Sequence, residues 1–436
     1  MATQTDAGLR NKVVYSIYIR NHTEEGTFEA VIPDLPRIKD LGVDIIWLMP
    51  IHPIGEEMRK GIAGSPYAIA DYRDVNPEYG TMEEFENLVK AIRDNGMKVM
   101  IDVVLNHTSP DSVLVKEHPE WFFRRGNGRM GNKVGEWYDI VDLDYKNKDL
   151  WTYQIDTLKM WAEKIDGFRC DVASLVPLEF WLQAREEIDQ TNSDLIWLAE
   201  SIHTSFLRQH RDRKNVGLSD NEVFQAFDVT YDYDVHNFFE DYLWEEITLK
   251  HYLEILMFQD GIYPINYVKL KFLENHDHPR FRKYVEKPQS VRNWTAFLYF
   301  QKGMTLLYAG QEYGIAKTPD LFNKDLIPWT EVDMDLTPLI QKLSVFKQED
   351  CLKEGIYSLE AEENSNAVVG EYVHDDKTMH GIFNLKGEAS VVKTSAPDGK
   401  YQNILDDVTY TVRDGILLTQ GEPIIFAHYH EQLIYD

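Results

Sequence analysis

Four apolar segments of this chain end in residues whose types suit acid–base and nucleophilic chemistry. The residues are Asp102 and His107 after the first segment, Arg169 and Asp171 after the second, Glu200 after the third, and Glu274, His276 and Asp277 after the fourth. Charged groups cost free energy at a partly buried position unless they are paired, so folding alone does not call for such a set. Two carboxyl groups that face each other across a sugar ring, one ionised and one protonated, are the minimum for hydrolysis of a glycosidic bond.

The spacing of Arg169 and Asp171 suits Asp171 as a nucleophile. Side chains two residues apart on a strand point the same way, so the guanidinium lies beside the carboxylate. A nearby positive charge favours the ionised form of a carboxyl group. Glu200 follows an apolar stretch with no basic residue immediately beside it, and an apolar setting would raise its pKa, as a general acid requires. Asp277 is a third carboxyl, placed to bind hydroxyl groups and to stabilise positive charge on the ring.

Each of these residues, taken alone, also has a purely structural interpretation. Asp102 would pair with Arg169 and brace its loop, which we favour over a direct part in catalysis. Single histidines such as His107 and His276 more often satisfy hydrogen bonds in a fold. Cys170 alternates away from the other side chains and would face a packed layer. Three acids at strand ends are harder to explain structurally, so the whole set favours a functional site.

Eight apolar runs alternate with amphipathic segments and must position these residues. A helix is predicted to start at Thr81 with a capping box and to stop at Asn95-Gly96. Repeated strand–helix alternation predicts a (β/α)8 TIM barrel, in which catalysis lies at the carboxyl ends of the strands. A doubly wound sheet fits the same alternation. The runs are Val13–Ile19, Val43–Met49, Lys98–Val104, Ile165–Val172, Leu195–Ala199, Ala226–Thr230, Tyr267–Leu273 and Thr305–Tyr308.

Two regions depart from the alternation. Residues 108–146 form a long connection rich in proline, glycine and aromatic residues, and a loop of that length in a barrel is usually functional. Residues 353–436 predict an antiparallel all-β unit at the C-terminus. We therefore divide the chain into a barrel of residues 1–107 and 147–352, the inserted segment and the C-terminal domain. The strands predicted in that domain are Ala367–Val373, Met379–Asn384, Ser390–Thr394, Val408–Arg413 and Pro423–His428, with turns at Asp398-Gly399 and Asp414-Gly415.

Composition excludes several classes of partner. The chain has 436 residues, 73 acidic against 45 basic, and a net charge of −28. Such a surface repels phosphate backbones and anionic lipid but not a neutral sugar, so neither nucleic acid nor a membrane is an expected partner. Cys170 and Cys351 make no disulfide framework, and the polar start Met1–Lys12 has no signal-peptide pattern. We expect a cytoplasmic protein; the sequence does not determine its oligomeric state.

Four ordered segments resemble the signatures of a known family. DVVLNH at 102–107, GFRCD at 167–171, Glu200 and ENHD at 274–277 are similar to the four signature segments of the α-amylase family, glycoside hydrolase family 13. They occur in the family's order, at the ends of predicted strands three, four, five and seven. Further similar segments are GSPY at 64–67, VDLD at 141–144 and YAGQE at 308–312. The resemblance spans nearly the whole chain.

The resemblance implies roles for individual residues. Asp171 matches the nucleophile, Glu200 the acid/base and Asp277 the transition-state stabiliser of a retaining mechanism. It further implies that residues 108–146 form a short domain B and that the last segment, residues 353–436, is the C-terminal antiparallel β-sandwich called domain C. The residues expected to bind substrate are Tyr67, Asp102, His107, Arg169, His276 and Arg280.

Some positions differ from the common family pattern. Ser174-Leu175 stand where many α-amylases have Lys-His, so side chains that would grip a glucan on the leaving side are missing. Asn106 and Asp142 match two calcium ligand positions, but six or more oxygens are needed. We therefore expect that no cofactor is obligatory, and calcium binding at Asn106 and Asp142 stays open. Val172 follows the nucleophile position, as in members that act on α-1,6 bonds and in some that act on both linkages, so the bond type stays open.

The expected activity is retaining hydrolysis of α-1,4-glucosidic bonds in malto-oligosaccharides or starch fragments. An α-1,6-glucosidase or a transglycosylase of the same family is the alternative enzymatic function. A catalytically inactive barrel that binds sugar or a protein partner is a third, and loss of one of the three acids would favour it. All three acids are present.

Overall fold

A computed structural model describes residues 4–362 and 365–430, and at its centre is a closed barrel of eight parallel strands. Successive strands are neighbours, and the first pairs with the last. The predicted TIM barrel is confirmed, and the doubly wound sheet is excluded because such a sheet is open at two edges. The barrel strands, numbered one to eight here, are Val13–Ile17, Ile45–Leu48, Lys98–Val103, Gly167–Cys170, Ile196–Ala199, Val229–Tyr231, Val268–Lys271 and Met304–Tyr308.

The barrel strands are mostly apolar on both sides because one side fills the barrel and the other packs against helices. Trp47, Leu198 and Tyr231 belong to the interior cluster. Cys170 lies in the outer cluster between strands and helices, as the alternation predicts. Both cysteines are buried and free.

The helices surround the barrel. The helix Met82–Asp94 begins with the predicted capping box: Glu84 N–H donates to Thr81 Oγ1 over 3.3 Å, and Thr81 N–H donates to Glu84 Oε2 over 2.6 Å. In the described part of the chain, no helix is long and apolar enough to cross a membrane. The longer helices are Met82–Asp94, Lys148–Ala162, Leu178–Asp189, Thr204–Asp212, His236–Leu243, Leu249–Ile262, Pro288–Phe300 and Thr337–Phe346, and the shorter ones are Ile19–His22, Phe28–Val31, Leu35–Asp40, Val113–Glu117, Asp220–Val223 and Asp350–Glu354.

The connection between barrel strands three and four is a small unit with little regular structure. His107–Thr108 pairs with Val141–Asp142 as two short antiparallel strands, which close the unit at its base. The helix Val113–Glu117 and the 3-10 turn Pro119–Trp121 lie between them. Because strand three ends just before this unit, the unit lies beside the carboxyl ends of the barrel strands.

Two four-stranded antiparallel sheets form the C-terminal region and enclose their own apolar cluster. The sequence analysis does not predict three of these strands, which are partly exposed: Ile356–Ala361, Gly399–Gln402 and Ile416–Thr419. The Asp414-Gly415 turn is confirmed, with φ of +54° and +69°. In spatial order the sheets are Ile356–Ala361, Ala367–Val373, Lys377–Asn384 and Ile424–Tyr429, and Ser390–Lys393, Ile416–Thr419, Thr409–Arg413 and Gly399–Gln402.

Phe300 joins the barrel to the C-terminal region. Its ring centroid lies 5.2 Å from those of Tyr372 and Phe383 on the first C-terminal sheet. Gly370 and Gly381 lie opposite the same ring, and a Cβ added to either would approach it within 2.5 and 2.7 Å. The helix Pro288–Phe300 therefore packs directly on the sheet backbone.

Candidate active site

Arg169, at the end of barrel strand four, is the centre of the site. It is fully buried, and its Nη1 lies 2.9 Å from Asp102 Oδ1 and 2.9 Å from Asp171 Oδ1. Its Nη2 lies 3.1 Å from Glu200 Oε2. The sequence predicts the pairs with Asp102 and Asp171 but gives Glu200 an apolar setting. The prediction of an apolar setting is wrong, because the Arg169 side chain extends from strand four to Glu200 at the end of strand five.

Strand register explains why these groups meet. Asp102 is the direct neighbour of Arg169 across strands three and four. Asp171, two residues later, points the same way. The Glu200 backbone N–H donates to Cys170 O over 3.0 Å, which sets the end of strand five level with the end of strand four. The three carboxyl groups therefore arrive at one height around the guanidinium.

The charges are unequal, because three carboxyl groups surround one cation. Burial raises the pKa of Glu200 to about 8 and the pKa of both Asp171 and Asp102 to about 7, although Arg169 opposes each shift. The carboxylates also raise one another's pKa. Burial outweighs the effect of Arg169 on Asp171, contrary to the sequence prediction. The sequence analysis predicts a raised pKa for Glu200, and the structure gives Glu200 the highest pKa of the three acids.

Three aromatic rings enclose the buried guanidinium. Arg169 Cζ lies 5.1 Å from the ring centroid of Trp47, 5.7 Å from that of Tyr67 and 5.3 Å from that of Tyr231. Arg169 Nε also donates to Tyr231 Oη over 3.2 Å. Cation–π contacts are strongest where water is excluded, so the cage holds the arginine in place.

Val172, directly after Asp171, has a strained backbone. Its φ of +35° and ψ of +45° lie in the left-handed region, which is rare for a β-branched residue. In this conformation its backbone N–H donates to Glu200 Oε2 over 2.8 Å. Strain of this kind persists where the surroundings fix it, commonly at functional sites. Here the strained backbone directs the Val172 N–H at the Glu200 carboxyl group.

A second chain of contacts leads from Asp102 to Asp277. The Tyr67 hydroxyl donates to Asp102 Oδ2 over 3.1 Å and lies 2.6 Å from His276 Nε2. That nitrogen lies 3.2 Å from Asp277 Oδ2. Burial lowers the pKa of His276 to about 4, so the ring is neutral at pH 7. The carboxyl side chain of Asp277 is 41% exposed and thus reaches open space.

A cavity of about 420 Å³ opens over these groups. Its volume is within the range of small-ligand sites. The predicted residues that line it are Tyr67, His107, Asp171, Glu200 and Asp277. Asp102, Arg169 and His276 lie behind them, almost without solvent exposure.

The structure does not bring Arg280 to the cavity, in contrast to the expected role in substrate binding. Its Nη1 donates to Glu274 Oε1 over 2.7 Å and its Nη2 to Ala309 O over 2.7 Å, and the side chain is fully buried. Arg280 therefore joins the ends of barrel strands seven and eight. Both carboxyl oxygens of Glu274 are thus hydrogen-bonded, since its Oε2 also accepts from the Phe281 N–H.

Asn106 and Asp142, the two possible calcium ligands, are engaged by protein donors. Asn106 Nδ2 lies 3.5 Å from Asp142 Oδ1, and the Lys133 N–H donates to Asp142 Oδ2 over 2.8 Å. The nearby Asp139 carries an ion pair, with Lys60 Nζ 2.9 Å from its Oδ1. The Lys60 ammonium group therefore neutralises Asp139, a third acid of this junction. All three side chains therefore already have protein partners at this junction.

Several cavity residues are missed by the sequence reasoning. Lys60 comes from the loop after strand two, and His203 and His278 stand three and one residues beyond predicted acids. Trp137 and Phe206 form an apolar wall, with ring centroids 6.2 Å apart. The signal that could have identified His203 and His278 is their position a few residues beyond the acids Glu200 and Asp277.

A closed barrel with three carboxyl groups and an arginine at the carboxyl ends of its strands has the groups that glycoside chemistry requires. The family model "Alpha amylase, catalytic domain" matches residues 13–353, and the model "Bacterial Alpha amylase C-terminal domain" matches residues 358–426. The chain belongs to the α-amylase family, as the resemblance of its signature segments implies.

Two solved structures cover the whole architecture. An α-amylase from Lactobacillus plantarum is 46% identical, with a TM-score of 0.95 over 97% of this chain and 100% of that one. A noncanonic maltogenic α-amylase from Thermotoga neapolitana is 35% identical, with a TM-score of 0.86 over 97% of this chain and 100% of that one.

Curated relatives align over less of their length. An α-1,4-glucan:maltose-1-phosphate maltosyltransferase from Cereibacter sphaeroides is 35% identical over 41% of this chain and 33% of its own. An α-amylase from Haloarcula japonica is 27% identical over 78% of this chain and 49% of its own. The chain thus spans a third to a half of these relatives, and their names include both a transferase and an amylase.

Proposed function

We propose that this protein is a retaining glycoside hydrolase that cleaves α-1,4-glucosidic bonds in malto-oligosaccharides or starch fragments. One observation carries the proposal: Asp171 and Glu200 share the guanidinium of Arg169 and both border the cavity. A shared cation holds the two carboxyl groups close together, as the gap of about 5 Å in retaining enzymes requires. Family membership supports an oligosaccharide or glucan as the substrate.

In the first step, the Asp171 carboxylate attacks the anomeric carbon while Glu200 donates its proton to the departing glycosidic oxygen. The pKa of Glu200, the highest of the three acids, suits a group that must hold a proton near neutral pH. A covalent glycosyl-aspartate forms. In the second step, Glu200 takes a proton from water, and the resulting hydroxide displaces Asp171 from the sugar.

The remaining cavity residues position the sugar in this proposal. Asp277 accepts hydrogen bonds from ring hydroxyls and stabilises the positive charge of the transition state. His107 lines the cavity with a buried ring whose pKa burial lowers, so it contacts the sugar as a neutral group. Tyr67 offers an aromatic ring for stacking, held by its contacts to Asp102 and His276.

The stereochemistry of the first product tests the mechanism. Proton NMR of a fresh digest of an α-linked substrate should show the α-anomer first, with mutarotation to the β-anomer later. Appearance of the β-anomer first would exclude a glycosyl-aspartate on Asp171 and therefore the proposal.

The apolar wall favours glycosyl transfer as a second candidate activity. Val172, Leu175 and Ile202 form a cluster on which Trp137 and Phe206 pack, beside the acid/base. Such a surface disfavours water and suits a second sugar as the acceptor, and Val172 also leaves α-1,6 bonds open as substrates. Product analysis on maltotriose, isomaltotriose and pullulan separates these activities: products longer than the substrate indicate transfer, and glucose from isomaltotriose indicates α-1,6 cleavage.

A further inference from the structure

A group of metal-ligating side chains lies at the edge of the cavity, outside the machinery described above. His236 is the first residue of the helix His236–Leu243, and Glu240 follows one turn later on the same face. His278 comes from the loop beyond barrel strand seven, directly after Asp277. One ligand atom from each side chain lies within 4.8 Å of the other two.

The three groups make no hydrogen bonds with one another. His236 Nδ1 lies 3.9 Å from Glu240 Oε2, and His278 Nδ1 lies 3.9 Å from Glu240 Oε1. His236 is 4% exposed, and neither of its ring nitrogens has a hydrogen-bond partner among the described residues. A buried imidazole with two unsatisfied nitrogens is costly, so the position calls for a partner that the protein does not supply.

Simple aromatic packing accounts for only part of this arrangement. The His236 ring stacks on Phe272 with centroids 5.2 Å apart and lies 4.2 Å from the His278 ring. Two apolar rings would pack there equally well and would leave no polar atom unsatisfied. Glu240, facing both histidines, has no part in such packing.

We propose that His236, Glu240 and His278 bind a borderline transition-metal ion, with Zn²⁺ as the representative ion. Two imidazole nitrogens and one carboxylate are a common zinc ligand set, and imidazole disfavours calcium and magnesium. Tetrahedral Zn²⁺ needs ligand atoms about 3.3 Å apart, so small side-chain rotations close the present gaps. Three protein ligands leave the fourth position to water.

The protonation of the histidines agrees with this geometry. Burial lowers the pKa of His236 to about 2 and of His278 to about 4, although Asp277 raises the latter. Both rings are neutral at pH 7, which is the form that coordinates metals. Since His278 lines the cavity, a bound ion would fix that part of the wall.

Cobalt spectroscopy on the untagged full-length protein tests the site without any enzyme assay. Titration of metal-free protein with Co²⁺ should give the visible absorption bands of a tetrahedral ion at one equivalent per chain, and Zn²⁺ but not Ca²⁺ should abolish them. Isothermal titration should show one Zn²⁺ bound per chain.

Variants assign the ligands. His236→Phe keeps the ring packing on Phe272, and Glu240→Gln keeps the shape of the carboxylate; each should weaken Zn²⁺ binding by about 100-fold. The matched control is the double variant His251→Gln, Glu254→Gln, since that exposed pair lies 3.8 Å apart on another helix. The control should bind as the wild type does. Circular dichroism verifies that each variant is folded.

Absence of tetrahedral Co²⁺ bands in the wild type would overturn the proposal, and so would undiminished Zn²⁺ binding by folded His236→Phe. Neither result would affect the proposed glycoside hydrolysis, whose test is the anomer of the product.

Discussion

At the scale of single residues, Arg169 decides how the acids behave. One guanidinium faces Asp102, Asp171 and Glu200, so the carboxyl groups cannot all be ionised at low cost. Groups that interact this strongly lose their protons in shared steps. The position of the proton on Glu200 thus follows from the whole cluster rather than from that side chain alone.

Replacing either proposed catalytic acid should abolish most activity. Asp171→Asn and Glu200→Gln should each lower kcat by about 10³-fold or more, because one removes the nucleophile and the other the transferable proton. Azide should partly restore Asp171→Gly, since a small anion fits the emptied position. Initial rates on maltotriose, whose departing sugar needs the proton, check this, with the exposed Glu186→Gln as control. Near wild-type turnover in either variant would remove that residue from its role.

Glu200→Gln should also change the pH dependence of stability. Burial raises the folded-state pKa of Glu200 to about 8, so the folded state holds this proton more tightly than the unfolded chain does. That contribution to stability is present at low pH and is lost as the pH rises through about 8. The neutral amide avoids the loss, and the variant should melt a few degrees above the wild type at pH 9.

Melting curves at pH 5 and pH 9 make the comparison. The difference between variant and wild type should be much smaller at pH 5, where Glu200 is already protonated. An equal difference at both pH values would show that ionisation of Glu200 does not govern the effect.

The sequence predicts the three acids and their order along the chain, but it does not predict all of the residues that contact them. Arg169 and Asp171 are two residues apart, so their contact follows from strand geometry. The contact of Arg169 with Glu200 crosses between strands, and no local pattern encodes its reach. The left-handed backbone of Val172 is equally invisible, since the residue type argues against it.

At the scale of elements, Lys60 links two loops at the mouth of the barrel. Its Nζ lies 2.9 Å from Asp139 in the inserted segment and over the ring of Tyr138 at 5.2 Å. Asp139 is almost fully buried, so this pair fixes one wall of the cavity.

Lys60→Gln should therefore raise KM several-fold more than it lowers kcat. Loss of the ammonium leaves Asp139 buried without its charge partner and loosens the inserted segment. Steady-state kinetics on maltotriose, with the exposed Lys146→Gln as control, measure the split. A loss confined to kcat would place Lys60 in the chemistry instead.

Chelation should leave activity intact. Asp142, one of the two candidate calcium ligands, already accepts hydrogen bonds from protein donors, and the proposed reaction steps use only side chains and water. Dialysis against EGTA, followed by assay and thermal melting, checks this. A large loss that calcium alone reverses, and zinc does not, would contradict the expectation.

Sequence patterns predict the elements unevenly. The eight barrel strands are buried on both sides over most of their length, so most of them are near-continuous apolar runs that are visible in the chain. The strand Gly399–Gln402 alternates between partly and fully exposed residues and buries too little to leave a pattern. The Asp414-Gly415 turn was visible because only certain residues accept two positive φ angles.

At the scale of the whole molecule, the barrel and the C-terminal sheets share one packed interface. Gly381→Ala should destabilise the protein by about 1–3 kcal/mol, because the added methyl group would come within 2.7 Å of Phe300 and Phe383. Thermal melting measures the effect. Gly126→Ala is the control, since no atom lies within 4 Å of its added Cβ. Equal melting temperatures for the two variants would show that the interface rearranges to make room for the methyl group at little cost.

The close fit of Phe300 against Gly370 and Gly381 bears on attempts to shorten this enzyme. A chain cut after the barrel would expose to water the apolar rings of Phe297 and Phe300, whose centroids lie 5.7 and 5.2 Å from that of Phe383 on the sheet. Exposed apolar patches of that kind promote aggregation. The C-terminal sheets thus act as a built-in solubility cover, and any minimised catalyst would need new polar residues on that face before it could be handled in solution.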